Sequence, residues 1–395
     1  MCEVLIVGSG PAGAELARLL AQAGRQVLLV DALPDLRRAA FSSAALPLEA
    51  VKRFGLPDSV VGSVWRRWQL LGPAAGRREW ASDSPEPLGA VLDFGALRQW
   101  LAQRACAAGA RLELGWRAVA CEQHPAEVRT LLRSPTGEQR WIRSQWVVDA
   151  TGQQRALIGD PEPAHGPLVR GLGVEWLLQV DPGRWQPWAD RLSFLLGSDW
   201  VAQGYGWVFP MQPGLLKVGV CRLIDPERPQ PPLHQLLQPA LKRLNLQGAA
   251  VLDRHGGLIR STVRRRELHR QGRLLGLGDA VSTANLLGGE GIRHALASSH
   301  VLAPLLLAAL QREPGALDRY PGQLRRALGW RWNLSGRLAR RTWLGLRTPE
   351  ADRRLEQLLL GLEATASAAD LSALLFDYRF ERYGLRVLPY LLGWR

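Results

Sequence analysis

A chain of 395 residues exceeds one compact core and suits two or three packed units. Its 47% hydrophobic and 22% charged residues exclude a disordered chain. No unbroken apolar run reaches the roughly 18 residues that span a bilayer, the longest being residues 301–310.

The formal charge of +14 is carried by arginine, since Lys52, Lys217 and Lys242 are the only lysines. Such an excess suits an anionic lipid, substrate or nucleic acid, or follows from the codon usage of a GC-rich genome. No nucleic-acid fold signature accompanies it, so no nucleic-acid partner is expected. Glu3 stands where a signal peptide has its basic region, so none is expected. Cys2, Cys106, Cys121 and Cys221 show no paired spacing, which predicts free thiols in a reducing cytoplasm. The seven histidines do not cluster with cysteines or carboxylates at metal spacing, and no metal site is expected.

In chain order, residues 3–7 read as a buried strand, residues 14–23 as a helix and residues 26–30 as a second strand. Gly8-Ser9-Gly10-Pro11-Ala12-Gly13 joins the first strand to the helix. In such a loop Gly8 permits the tight turn, Gly10 admits a pyrophosphate, and Gly13 lets helix and strand pack closely. The amides at the helix start, next to Pro11 and Ala12, face the phosphates. Asp31 closes the second strand, where a carboxylate accepts hydrogen bonds from ribose hydroxyls. This unit alone admits any dinucleotide.

Next come a helix over 97–108, a hairpin over 111–143 and a strand ending in Asp149-Ala150-Thr151-Gly152, whose small residues let the chain pass close to nucleotide. Gly204-Tyr205-Gly206-Trp207-Val208-Phe209-Pro210 reads as an aromatic strand with a hairpin partner at 215–220, and the proline-rich stretch 226–232 reads as a loop. A strand over 272–278 leads into Gly278-Asp279 and then Gly288-Gly289-Glu290-Gly291-Ile292, where a long apolar helix starts and runs to about Leu310. An aspartate here suits a ribityl hydroxyl, and the glycines let backbone amides approach an isoalloxazine ring. Three such segments in this order select FAD.

Together these segments resemble the flavoprotein group that includes hydroxybenzoate hydroxylase. Gly289-Glu290-Gly291-Ile292 and the Tyr-x-Trp-x-Phe-Pro pattern of Tyr205 to Pro210 resemble its geranylgeranyl reductase branch, over residues 1 to about 310. The resemblance implies an α/β fold: a Rossmann-like FAD-binding domain, an inserted mixed or antiparallel β-sheet substrate domain and a C-terminal helical region. It implies hydride transfer from reduced flavin to a double bond of an isoprenoid substrate, with NADPH or another electron donor. Tyr205 and Trp207 are then expected at the substrate, and Glu290 as either a catalytic group or a helix cap.

The chain departs from that family in carrying Phe41-Ser42-Ser43-Ala44-Ala45 where archaeal members have a cysteine. Phe94 stands where many relatives have an arginine, and Arg98, one turn on, takes over that contact. Leu286 replaces a common proline. A monooxygenase would share the FAD scaffold. A halogenase fits poorly because no lysine lies between Lys52 and Lys217, and a carotenoid cyclase lacks its Phe-Leu-Glu-Glu signature. A non-catalytic flavin carrier remains open.

The expected organisation is a discontinuous FAD-binding domain over 1–70, 92–158 and 255–310, a substrate domain over 71–91 and 159–254, and a helical region over 311–395. Tryptophans and leucines among Arg325, Arg326, Arg337, Arg340 and Arg341 resemble an interfacial helix or a packed helical subdomain. The first reading places the protein in the cytoplasm, peripheral at the inner membrane face. Arg264-Arg265-Arg266 reads as a surface turn or a contact with phosphate. The sequence leaves the oligomeric state open.

Overall fold

The computed structural model describes residues 1–38, 41–73, 76–162, 168–228, 230–263 and 266–381. Strands Cys2–Val7, Val27–Asp31, Arg111–Leu114, Gln139–Asp149 and Leu274–Gly276 form a parallel sheet. The first strand sits centrally, pairing Leu5 with Leu28 on one side and with Val147 on the other. Its apolar residues are buried on both faces, as parallel strands covered by helices require. Helices Pro11–Gln22, Phe94–Ala107 and Ile292–Leu310 share the core on one face.

The expected hairpin over 111–143 divides in two. Arg111–Leu114 is an edge strand of the parallel sheet, and Arg117–Gln123, Val128–Arg133 and Gln139–Asp149 form an antiparallel meander. Alternating apolar residues mark strands without naming their partners, which is why the two were merged.

Helix Ile292–Leu310 begins where expected, and by length and composition it could cross a membrane. Counting unbroken apolar residues missed this. The helix instead packs on Pro11–Gln22 and Tyr320–Gly345, with Leu296, Leu302 and Leu306 fully buried.

A seven-stranded sheet runs in the order Ala250–Thr262, Leu168–Gln179, Leu215–Leu223, Gly204–Pro210, Arg191–Leu196, Arg67–Leu71 and Arg77–Ala81. Tyr205 to Pro210 thus forms a central strand, with the expected hairpin partner beside it. Ala45–Pro47, Gly89–Leu92 and Val61–Trp65 make a small third sheet. The divisions expected at 70/71, 91/92 and 254/255 each fall inside a strand. Periodicity does not change where a strand passes from one packed layer to another.

One face of the large sheet is covered by helix Leu233–Arg243. The other carries Trp68, Tyr205, Trp207 and Phe209, with Trp65 of the small sheet packed beside them, and is roofed by helices Pro349–Thr365 and Ala368–Leu375. Trp68 Nε1 donates to Ser372 Oγ at 2.9 Å, and Arg78 pairs with Glu356 and Glu363. The C-terminal region therefore packs over the aromatic face of this sheet. Trp332 is buried, while Trp330 remains 61% exposed. Arg264, Arg265 and residues 382–395 lie outside the described residues.

Candidate cofactor and substrate site

The glycine loop is built by close backbone approach. Gly8 has φ +108°, and a Cβ there would stand 2.3 Å from the Ala150 carbonyl oxygen. A Cβ at Gly13 would stand 1.9 Å from the Gly8 carbonyl oxygen. Gly10 differs: nothing lies within 4 Å of its Cβ position, and it borders a large cavity. Gly8 and Gly13 therefore serve packing, whereas Gly10 leaves space for a ligand at a helix start.

Asp31 Oδ2 accepts the Ser9 amide at 2.7 Å, and Oδ1 accepts the Leu33 amide at 2.9 Å. Arg98 Nη2 lies 3.5 Å from Asp31 Oδ2, with both side chains nearly buried. Asp31 thus fixes the loop and Arg98 while keeping acceptor capacity toward the cavity.

The cavity, about 1960 Å3, runs from this loop to the C-terminal helices. It is bordered by Gly8, Gly10, Pro11, Asp31, Arg98, Gly152, Tyr205, Trp207, Asp279 and the run from Gly288 to Ile292. Motifs more than 250 residues apart thus meet on one surface, as an FAD site requires. Four expected contact residues are not on that surface. Asp149 accepts from Thr151 N, Thr151 Oγ1, Leu157 N and Ile158 N, so its carboxylate shapes its own strand end. Gly278 lets the second motif close on Ala12, since a Cβ there would meet Ala12 Cβ at 2.8 Å. Ala12, Gly13 and Gly278 join the motifs from behind.

Asp279 accepts Thr283 Oγ1 at 2.8 Å, and burial raises its carboxyl above the usual range, with Thr283 opposing. Its oxygens lie 3.5 and 3.6 Å from the Cβ position of Gly291, at ordinary contact distance. The Tyr205 hydroxyl lies 3.2 Å from the Cβ position of Gly289, which joins the aromatic strand to the glycine run.

Glu290 is not the helix cap. Gly291, without a side-chain cap bond, starts the helix, and the Glu290 carboxylate pairs instead with Arg293 and accepts from Tyr378 OH at 3.0 Å. Burial opposes its charge, but Arg293 and His294 overcome that and lower its pKa to about 2. It stays ionised and supplies no proton near neutrality. Arg293 also donates to the Phe376 carbonyl, tying this loop to the C-terminal segment.

The lowered pKa makes stability depend on pH. The Glu290 contribution to stability is present above pH 4.5 and lost as pH falls toward 2. Unfolding free energies of Glu290→Gln should therefore vary less across that interval than those of the parent protein, as urea titrations at several pH values would show.

Sequence reading missed Phe41 as a wall residue, and also Gly173, Cys221, Gly257 and Phe376, all of which border the cavity. The sole signal for the glycines was their recurrence in β-strands, where glycine marks a close approach.

Residues 1–332 match the model of a family described as an FAD binding domain, and the chain belongs to that family. It is an FAD-dependent oxidoreductase. It is 25% identical to a menaquinone reductase of Mycobacterium tuberculosis over 332 residues, covering 77% of this chain and 76% of that one. It is 26% identical to digeranylgeranylglycerophospholipid reductase 1 of Methanopyrus kandleri over 331 residues, covering 79% and 82%. The fold matches a geranylgeranyl bacteriochlorophyll reductase-like protein from Thermoplasma acidophilum with a TM-score of 0.82 and 20% identity, covering 98% of each chain.

Proposed function

We propose that this protein reduces carbon–carbon double bonds of an isoprenoid chain. The observation that carries the reading is the apolar cavity itself, which continues from the Gly288–Gly291 run between an aromatic sheet and apolar helices. An apolar chain is recognised by burial and shape, and this wall offers both. Bound FAD supplies hydride-transfer chemistry, drawn from NADPH or another donor.

In this reading the amides beside Gly10 and Pro11 hold the pyrophosphate, Asp31 the ribose, Arg98 the neighbouring edge and Asp279 a ribityl hydroxyl. The Gly288–Gly291 backbone lets the ring approach, and Gly152 leaves room beside it. Tyr205 and Trp207 orient the substrate chain and exclude water. Burial keeps the proton on Tyr205, and it pushes the Cys221 thiol up to about 12, so both groups facing the chain remain neutral. The two units are an FAD-binding unit and a substrate sheet with a helical roof.

Anaerobic stopped-flow mixing tests the reading. Chemically reduced enzyme should be reoxidised rapidly by a prenyl acceptor. Substrate-stimulated oxygen uptake with a hydroxylated product would replace it with a monooxygenase.

We further propose peripheral contact with an anionic membrane at its cytoplasmic face, through exposed Trp330, Arg325, Arg326, Arg337, Arg340 and Arg341. Neutralising Arg337, Arg340 and Arg341 should weaken flotation with anionic vesicles several-fold. Unchanged flotation would refute the contact.

A further inference from the structure

Glu175 lies in strand Leu168–Gln179, fully buried and outside every cofactor motif. Its Oε2 accepts Trp207 Nε1 at 2.6 Å. Its Oε1 meets His255 Nε2 at 3.1 Å, and His255 Nδ1 stands 2.9 Å from Asp253 Oδ2 at the protein surface. A buried carboxylate is tolerated only when paired and hydrogen-bonded, so this arrangement is held firmly.

Glycines give the two aromatic rings their places. Gly219 pairs with both Glu175 and Trp207 across neighbouring strands, and a Cβ there would stand 2.2 Å from Trp207 Cζ2. The indole therefore lies flat across Gly219 to reach Glu175. Gly257 serves Phe41 in the same way, with its Cβ position 2.2 Å from Phe41 Cδ1. The Phe41 ring packs edge-on against His255 at 5.0 Å between centroids. Both rings converge over Gly173, whose Cβ position lies 3.5 Å from Phe41 Cζ and 3.8 Å from Trp207 Cη2. Buried Lys217 holds the Phe41 segment from below by donating to the carbonyls of Ser42 and Ser43.

We propose that Glu175 is a positioning residue whose hold on Trp207, and through His255 on Phe41, builds the stop of the substrate cavity. The stop sets how far an isoprenoid chain enters, and so which double bond stands at the Gly288–Gly291 run. This rests on the reading of the protein as a prenyl reductase. A discriminating wall works by fixed geometry, and a loosened ring changes which bond is presented rather than how the bond reacts.

The test compares the holoenzyme with Glu175→Gln, Glu175→Leu and Trp207→Phe, using prenyl acceptors of increasing length and mapping the reduced positions by mass spectrometry. Glutamine keeps an acceptor for Nε1 and a donor for His255, so its product pattern should stay within about twofold of the parent. Leucine at 175 should move the main position of reduction and raise KM about tenfold with little change in kcat, and phenylalanine at 207 should move that position as well. An unchanged pattern in FAD-loaded Trp207→Phe, and in Glu175→Leu where that folds, would overturn the proposal. If the parent reduces no prenyl acceptor, the reductase reading fails instead. Binding of saturated chains, read by flavin fluorescence, then decides on the stop alone: a longer preferred chain in Trp207→Phe supports it, and identical length preferences refute it.

Discussion

Alanine at position 13 is expected to destabilise the fold severely, and alanine at position 10 to leave the fold intact while weakening FAD binding. The first places a methyl group 1.9 Å from the Gly8 carbonyl oxygen and 3.0 Å from Ala150 Cβ. Both neighbours stand just past strand ends, where Gly8 N donates to the Val30 carbonyl and Ala150 N to the Val7 carbonyl, so neither withdraws without breaking those bonds. Overpacking of this kind costs about 1–3 kcal/mol and more where backbone is the obstacle. Against a total stability of about 5–15 kcal/mol, that is a large share.

Position 10 has an extended backbone, φ −79° and ψ −177°, which any residue adopts, and nothing lies near its Cβ position. Gly10→Ala should melt within about 2 °C of the parent apoprotein, since a surface change usually costs under about 0.5 kcal/mol. Its methyl group fills the approach to the helix amides, so FAD affinity should fall about a hundredfold or more, a loss of about 3 kcal/mol. Thermal melts of apoprotein and flavin titrations separate the two effects. Equal loss of stability in both variants would show that Gly10 is only a packing glycine.

The second large effect is expected at Arg293. Replacing it with methionine leaves the ionised Glu290 carboxylate, 8% exposed, without its main partner. Breaking a buried pair in this way costs about 3–5 kcal/mol. It also frees the Phe376 carbonyl and the contact to Asp377, so the C-terminal segment loses its tie to the glycine run. Urea unfolding should show the full loss for Arg293→Met. The double variant Arg293→Met with Glu290→Gln should recover part of it, because no uncompensated charge remains buried. No recovery would place the cost in Arg293 packing on Phe376 and Tyr378 instead.

The cofactor loop was legible because its information is local. A strand, three glycines, a helix and Asp31 lie within thirty-one residues, each with its own stereochemical reason. The second glycine run was legible for the same reason, and helix Ile292–Leu310 starts at the expected residue. Its exact contacts were not. Asp149 stands at a strand end where a ligand is expected, yet the Leu157 and Ile158 amides donate to its Oδ2, and these amides are brought back by a turn that periodicity does not reveal.

Glu290 shows the same limit. Its role depends on Arg293 nearby, which was visible, and on Tyr378, which was not because it lies 88 residues away. The aromatic strand was placed correctly, yet nothing in it pointed to Glu175, 32 residues earlier, as the group that holds Trp207. The arginine-rich tail carried two physical signals at once. Its exposed face kept the appearance of an interfacial helix, while its buried face, with Trp332 and Leu338, contributes to the protein core.

The measurement that tests the central claim most directly is a single anaerobic turnover of chemically reduced holoenzyme with a polyprenyl acceptor, followed by mass analysis of the lipid. The expected product carries one additional pair of hydrogens per equivalent of flavin reoxidised. In deuterated water both of the pair should be deuterium, because chemical reduction supplies electrons alone and every proton then comes from solvent. Flavin that remains reduced beside unchanged lipid, or that is reoxidised only when oxygen is admitted, would contradict it.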